Sequence, residues 1–336
     1  ASRRYDYPRD QIIKALPRRG YSMLTIPLAF FIVMLELSVG SFLVLYALDI
    51  RNDTSFNFVR FQAVLYLLLF TLLTWGTMVG FASADQLRKF GYNLDFHWLS
   101  YQGATLLWFM LLQVAYSISL ISRKWRVARL VTGGAAAALG IFCLFAVGMG
   151  YRPIAAANLG GALTVLGFFA GALALGGVST AMLLGHWYLN TPTATGKPLE
   201  FATMLTVGGI IAQVTFGILG GGVTYVHPTA THQTTAVVAH TTNITAPAPA
   251  ATATPGKGST ATPTPPFKQS VQFNTLTLII LEYLLGLGIP LAVSVIAFRL
   301  ERERSFQSAT GMLYIAVVFA FFGEVLARNL FLQPLS

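Results

Sequence analysis

The chain has 336 residues, of which 55% are hydrophobic and only 10% charged, and its mean hydropathy of +0.64 excludes a soluble domain. Its formal net charge of +10 is spread over ends and loops, which in a membrane protein points to anionic headgroups and orientation rather than nucleic acid; no aromatic-basic patch or nucleic-acid motif accompanies it. A single cysteine, Cys143, lies among Phe142, Leu144 and Phe145 as a small buried hydrophobe, so no disulfide, iron–sulfur cluster or thiolate zinc site can be built from this chain alone.

Eight runs are long enough to cross ~30 Å of hydrocarbon as helices. They fall at about 22–49, 61–83, 98–121, 128–149, 156–188, 200–225, 273–298 and 310–332. Their apolarity is continuous where barrel strands would alternate, so the expected fold is an all-α integral membrane protein, an eight-helix bundle. Residues 1–20 carry six Lys and Arg with Tyr5, Tyr7, Ile12 and Ile13 between them, a segment suited to a headgroup surface or a docking partner. It does not read as a cleavable signal peptide, because the apolar run behind it is too long and lacks a small-residue cleavage site.

The first run holds Glu36 near mid-depth. Two readings stand beside each other: a carboxyl protonated or bonded to a neighbouring helix, and a functional group. The third run opens on Phe96, His97 and Trp98; His97 lies close to the headgroup plane, either as a plain interfacial residue or as a group that moves protons or holds a polar ligand. The fourth and fifth runs are rich in Gly and Ala, which lets helices approach closely and places the packing centre of the bundle there. The fifth ends His186-Trp187-Tyr188-Leu-Asn-Thr-Pro192, where Pro192 stops it, and the sixth, with Gln213, reads as ordinary core.

Residues 227–271 are Thr, Pro and Ala with scattered His227, His232 and His240. Nothing there can bury a core, so a disordered or extended surface insert between the sixth and seventh helices is expected. The histidines lack carboxylates or regular spacing for a metal, and the Asn243-Ile-Thr245 sequon is too common by chance to use.

The last two runs concentrate the costly groups. Glu282 and Tyr283 lie in the seventh, and Glu324 and Arg328 lie four apart in the eighth, on one helix face and within reach of each other. A charge in hydrocarbon costs roughly 2.5–3.5 kcal/mol even on the lenient insertion scale, so this pair is expected to face the protein interior. With eight crossings, both termini, the 84–97 loop, the short 150–155 loop and the insert share one face, here face A. Face B then carries ten cations in and beside its short loops (Arg51, Arg60, Arg123, Lys124, Arg126, Arg129, Lys197, Arg299, Arg302, Arg304) against three on face A (Arg88, Lys89, Arg152), which makes face B cytoplasmic. The cationic N-terminal segment argues the other way. His97 at the face A end and His186 at the face B end cannot share one haem, so no intrinsic haem is expected. His97, Glu282, Tyr283, Glu324 and Arg328 all fall toward face A and are read as a quinone site, with Glu36 and Glu282 as a proton path; quinol chemistry needs donors to the carbonyls, two protons nearby and an apolar cleft.

Eight helices without haem, an acid in the first, the closing sequence Gly323-Glu324-Val-Leu-Ala-Arg328-Asn-Leu-Phe and the His186 to Pro192 segment together resemble the NrfD-like membrane-anchor family, which includes the DMSO reductase and polysulfide reductase anchor subunits. The long insert departs from that pattern. The resemblance implies a menaquinone- or ubiquinone-reactive subunit of a respiratory complex in a prokaryotic inner membrane, paired with an iron–sulfur protein and often a molybdopterin catalytic subunit. Two other readings compete with it: a transporter or ion-translocating subunit relaying through Glu36 and Glu282, although no convincing inverted repeat is present, and a purely architectural subunit whose charges lock helices together.

Overall fold

A computed structural model describes residues 22–89, 92, 94–154, 160–190, 195–219 and 275–332. The basic N-terminal segment and the Thr/Pro-rich insert expected above lie outside these residues. Among the described residues every regular element is helical. We number the long helices α1 (Ser22–Arg51), α2 (Phe56–Lys89), α3 (Phe96–Ser119), α4 (Arg126–Tyr151), α5 (Gly160–Asn190), α6 (Lys197–Leu219), α7 (the consecutive segments Thr275–Leu281, Glu282–Gly288 and Ile289–Arg302) and α8 (Phe306–Leu332). All of these except α3 are long and apolar enough over their described residues to cross a membrane. Helix α3 has 24 residues, a sufficient length, but is diluted by Gln102, Gln113 and several hydroxyl side chains.

Helix α1 is apolar all round and is therefore surrounded; every residue from 31 to 42 is buried. It packs on α5, which in turn packs on α6 and α8, while α3 pairs with α4 and α7 with α8. Small residues allow the closest approaches. A methyl group built on Gly40 would strike the Ala172 backbone, and one on Gly176 would strike Gly40 and Ser41, so α1 and α5 touch backbone to backbone. Gly286 of α7 and Gly323 of α8 meet in the same way, with a Cβ on Gly286 only 2.8 Å from the Gly323 Cα. The Gly and Ala content of the fifth run thus has the structural use read from it.

Polar bonds also join the helices. Ser38 and Thr71 hydroxyls lie 2.7 Å apart, and Thr71 donates onward to Gln113 at 2.8 Å, tying α1, α2 and α3 together. Tyr66 of α2 reaches Thr180 of α5 at 2.9 Å. At the face B end, Asp49 accepts from Tyr116 at 2.9 Å and pairs with Arg129 at 3.1 Å, which fixes α1 to α3 and α4.

Two helices widen locally into π turns. In α7 the π segment Glu282–Gly288 ends two residues before Pro290, and the Ile289 N–H donates to Leu284 five residues back. Proline has no N–H to give and its ring crowds the carbonyl four residues earlier, here Gly286, so the helix widens rather than breaks. The stretch that carries Glu282 and Tyr283 is therefore a π bulge inside a continuous helix.

Candidate functional site

Arg328 is the hub. It sits on α8 with Glu324 one turn before it, and the two pair at 2.7 Å as the four-residue spacing requires. Its Nη2 also donates to Glu36 Oε1 of α1 at 2.5 Å and to the Gly167 carbonyl of α5 at 3.3 Å. The guanidinium carbon stands 4.4 Å from the centre of the Phe168 ring, adding a cation–π contact on the α5 side. Glu324 in turn accepts from Gln213 Nε2 of α6 at 2.5 Å. Four helices thus converge on one buried knot of two carboxylates, one guanidinium and one carboxamide. Glu36 is fully buried, Glu324 and Arg328 nearly so.

Gly171 is what leaves room for it. A Cβ there would lie 3.0 Å from Arg328 Nη2, 3.1 Å from Glu324 Oε1 and 3.1 Å from the Glu36 carboxyl carbon. Any side chain at 171 would press on all three charged groups at once.

Helix α7 brings a third carboxylate alongside. Glu282, at the start of the π segment, is half-buried and within electrostatic range of Glu324 and Arg328, and its Oε2 is buried with no hydrogen-bond partner among the described residues. Glu36 Oε2 is in the same position. Tyr283 is half-buried with its hydroxyl against α6, 2.8 Å from where a Cβ on Gly217 would stand, which is one turn beyond Gln213. Its neighbours Leu281 and Leu284 are exposed among the described residues.

The structure therefore gathers Glu36, Glu324 and Arg328, sets Glu282 beside them, and places Tyr283 at the α6–α7 seam. It does not bring His97 to them. His97 is exposed at the start of α3, its ring meeting those of Trp98 and Tyr101, and α3 packs on α4 and α2 instead of α8. Equal depth in the membrane put His97 with the cluster in the sequence reading; depth carries no information about which side of the bundle a helix occupies. Gln213 was missed for the converse reason. It is the one side-chain amide of α6, in a stretch whose other polar groups past Glu200 are threonine hydroxyls, and that was the available signal.

His186 is exposed on α5 with its Nδ1 3.2 Å from the Tyr314 hydroxyl, well separated from His97 in the chain and in the packing. Among the described residues no group of three His, Cys, Asp or Glu side chains is placed to hold a metal ion. No protein-family profile, no curated protein and no solved structure matches this chain. Fold and site define a multi-helix, membrane-type protein with a charged knot in its core.

Proposed function

We propose that the chain is the quinone- or quinol-binding subunit of a multi-subunit respiratory oxidoreductase, of the NrfD-like anchor type, and that the Glu36–Arg328–Glu324 knot is its proton-handling centre. The observation that carries this reading is one guanidinium facing two buried carboxylates. With one proton on the carboxylates the trio is neutral; without it the trio bears one net negative charge in a low-dielectric core. Such a site takes up and releases a proton whenever a neighbouring charge changes, which quinone reduction or quinol oxidation does twice per turnover.

The seam between α6 and α7 is where the carrier would approach. Leu281 and Leu284 are exposed for an isoprenoid tail, the Tyr283 hydroxyl would donate to a quinone carbonyl, and Glu282 is within electrostatic range of both that donor and the knot. Electrons would come from an iron–sulfur partner subunit, with or without a molybdopterin subunit behind it. In this reading α3 supplies the eighth crossing, the bundle lies in a prokaryotic plasma membrane, and the termini and insert are extracytoplasmic. His97 has no part in the chemistry; its place with Trp98 and Tyr101 suits an interfacial anchor.

The test is Glu324→Gln in the assembled complex. The amide keeps the shape and the contact with Arg328 but cannot carry the proton, so quinone-coupled turnover should fall by about 100-fold or more, the scale of a lost general acid–base group. Turnover of the soluble partners with artificial electron donors should be unchanged. Full quinone-coupled turnover in this variant would reduce the knot to a helix lock.

A further inference from the structure

A second polar feature lies at the opposite end of the bundle and has no part in the proposed redox role. A cavity of about 380 Å³ opens where the end of α1, the turn into α2 and the α3–α4 loop meet, and Arg123, Arg126 and Arg129 line it. Asp49 is the one carboxylate among the described residues lining it, and that charge is already engaged by Arg129 at 3.1 Å and by the Tyr116 hydroxyl at 2.9 Å. Three guanidinium groups against one carboxylate leave a surplus of two positive charges in a concave site.

The surroundings favour an anion further. Arg126 and Arg129 stand in the first turn of α4, where the helix dipole disfavours cations, and that helix end has no acidic residue and no side-chain cap from Trp125. An oxyanion in the cavity would relieve both conditions. Thr54 also lines the cavity, and its hydroxyl is buried with no hydrogen-bond partner among the described residues. Phe56 also lines it, with the Arg123 and Arg129 guanidinium carbons 5.2 and 5.5 Å from its ring centre, a cation–π contact for each.

We infer that this cavity binds a phosphate oxyanion, and that the headgroup of an anionic phospholipid is its source. Ile121, Trp125, Val127 and Val131 are all exposed in and just after the α3–α4 turn that carries the arginines, an apolar surface for acyl chains. A tryptophan at such a boundary marks the headgroup level. Basic pockets between membrane helices take phospholipid headgroups by this combination of a charged recess and an apolar wall.

The experiment uses the full chain in nanodiscs of phosphatidylcholine with or without phosphatidylglycerol, reading retained lipid by native mass spectrometry, with inorganic phosphate as a separate titrant. Phosphatidylglycerol should be retained in preference to phosphatidylcholine by the wild type. Each basic side chain near an anionic headgroup contributes about fivefold, so Arg123→Gln/Arg126→Gln should weaken retention by about thirtyfold. Both residues are exposed, and an unaltered size-exclusion profile checks that the variant is folded; the two single variants, about fivefold each, serve if it is not. Arg51→Gln, an exposed arginine outside the cavity lining, should retain lipid like the wild type. Saturable binding of inorganic phosphate, lost in the double variant and without a lipid preference, would uphold the oxyanion site and assign it a soluble source. Equal retention of both lipids together with no phosphate binding would overturn the proposal, and quinone-coupled turnover is not involved in either outcome.

Discussion

Replacing Arg328 with Gln is expected to destabilise the protein by about 3–5 kcal/mol, the range for removing one partner of a buried ion pair, because two carboxylates would remain in the core without their cation. The loss should appear as early aggregation on heating in fluorescence-detected size exclusion of the detergent-solubilised protein. Its cause can be separated from simple loss of packing. Glu36 is fully buried and takes its one ion pair among the described residues from Arg328, so Glu36→Gln in the same chain removes one of the orphaned charges and should recover part of the stability. If Arg328→Gln melted like the wild type, the three groups would not form one energetic unit.

Gly176→Ala is expected to be nearly as damaging, at about 3 kcal/mol, the upper end for overpacking a tight core. The added methyl would stand 2.5 Å from the Gly40 carbonyl oxygen, and the atoms it meets belong to the α1 backbone, which cannot rotate aside as a side chain can. Pushing α1 from α5 also separates Glu36 from the Gly167 and Phe168 side of the Arg328 site, so stability and the site should fail together. Gly208→Ala is the matched control in the neighbouring helix α6, since a methyl there meets nothing within 4 Å. Thermal melts of the two variants side by side distinguish a specific clash from a general intolerance of glycine replacement.

These two effects show what the amino-acid order discloses and what it leaves to packing. The Glu324–Arg328 pair and its inward direction were legible, because helical spacing and the cost of a charge in hydrocarbon are both local arguments. For Glu36 two readings remained, bonded to a neighbour or functional; the structure shows its bond to Arg328, 292 residues away, which no local pattern encodes. The small residues of the fifth run announced close packing, yet the particular task of Gly171, leaving space for three charged groups, depends on the angular setting of α1, α5 and α8. His97 and Gln213 are the paired lesson. Span counting gives depth along the membrane normal, so His97 looked like a neighbour of Glu324, while rotation about each helix axis and the order of helices around the bundle decide that Gln213 touches it instead. Pro290 leaves α7 without one N–H, and the backbone meets that local lack by widening into the π segment that carries Glu282 and Tyr283.

We propose that the carboxylates held by Arg328 exchange a proton in step with quinone chemistry, and redox-induced infrared difference spectroscopy of the membrane-bound complex observes that exchange directly. The wild type should show a carboxylic-acid carbonyl band that changes between the oxidised and reduced quinone states, and that band should be lost in both Glu324→Gln and Glu36→Gln. Identical difference spectra in the wild type and the two variants would contradict it.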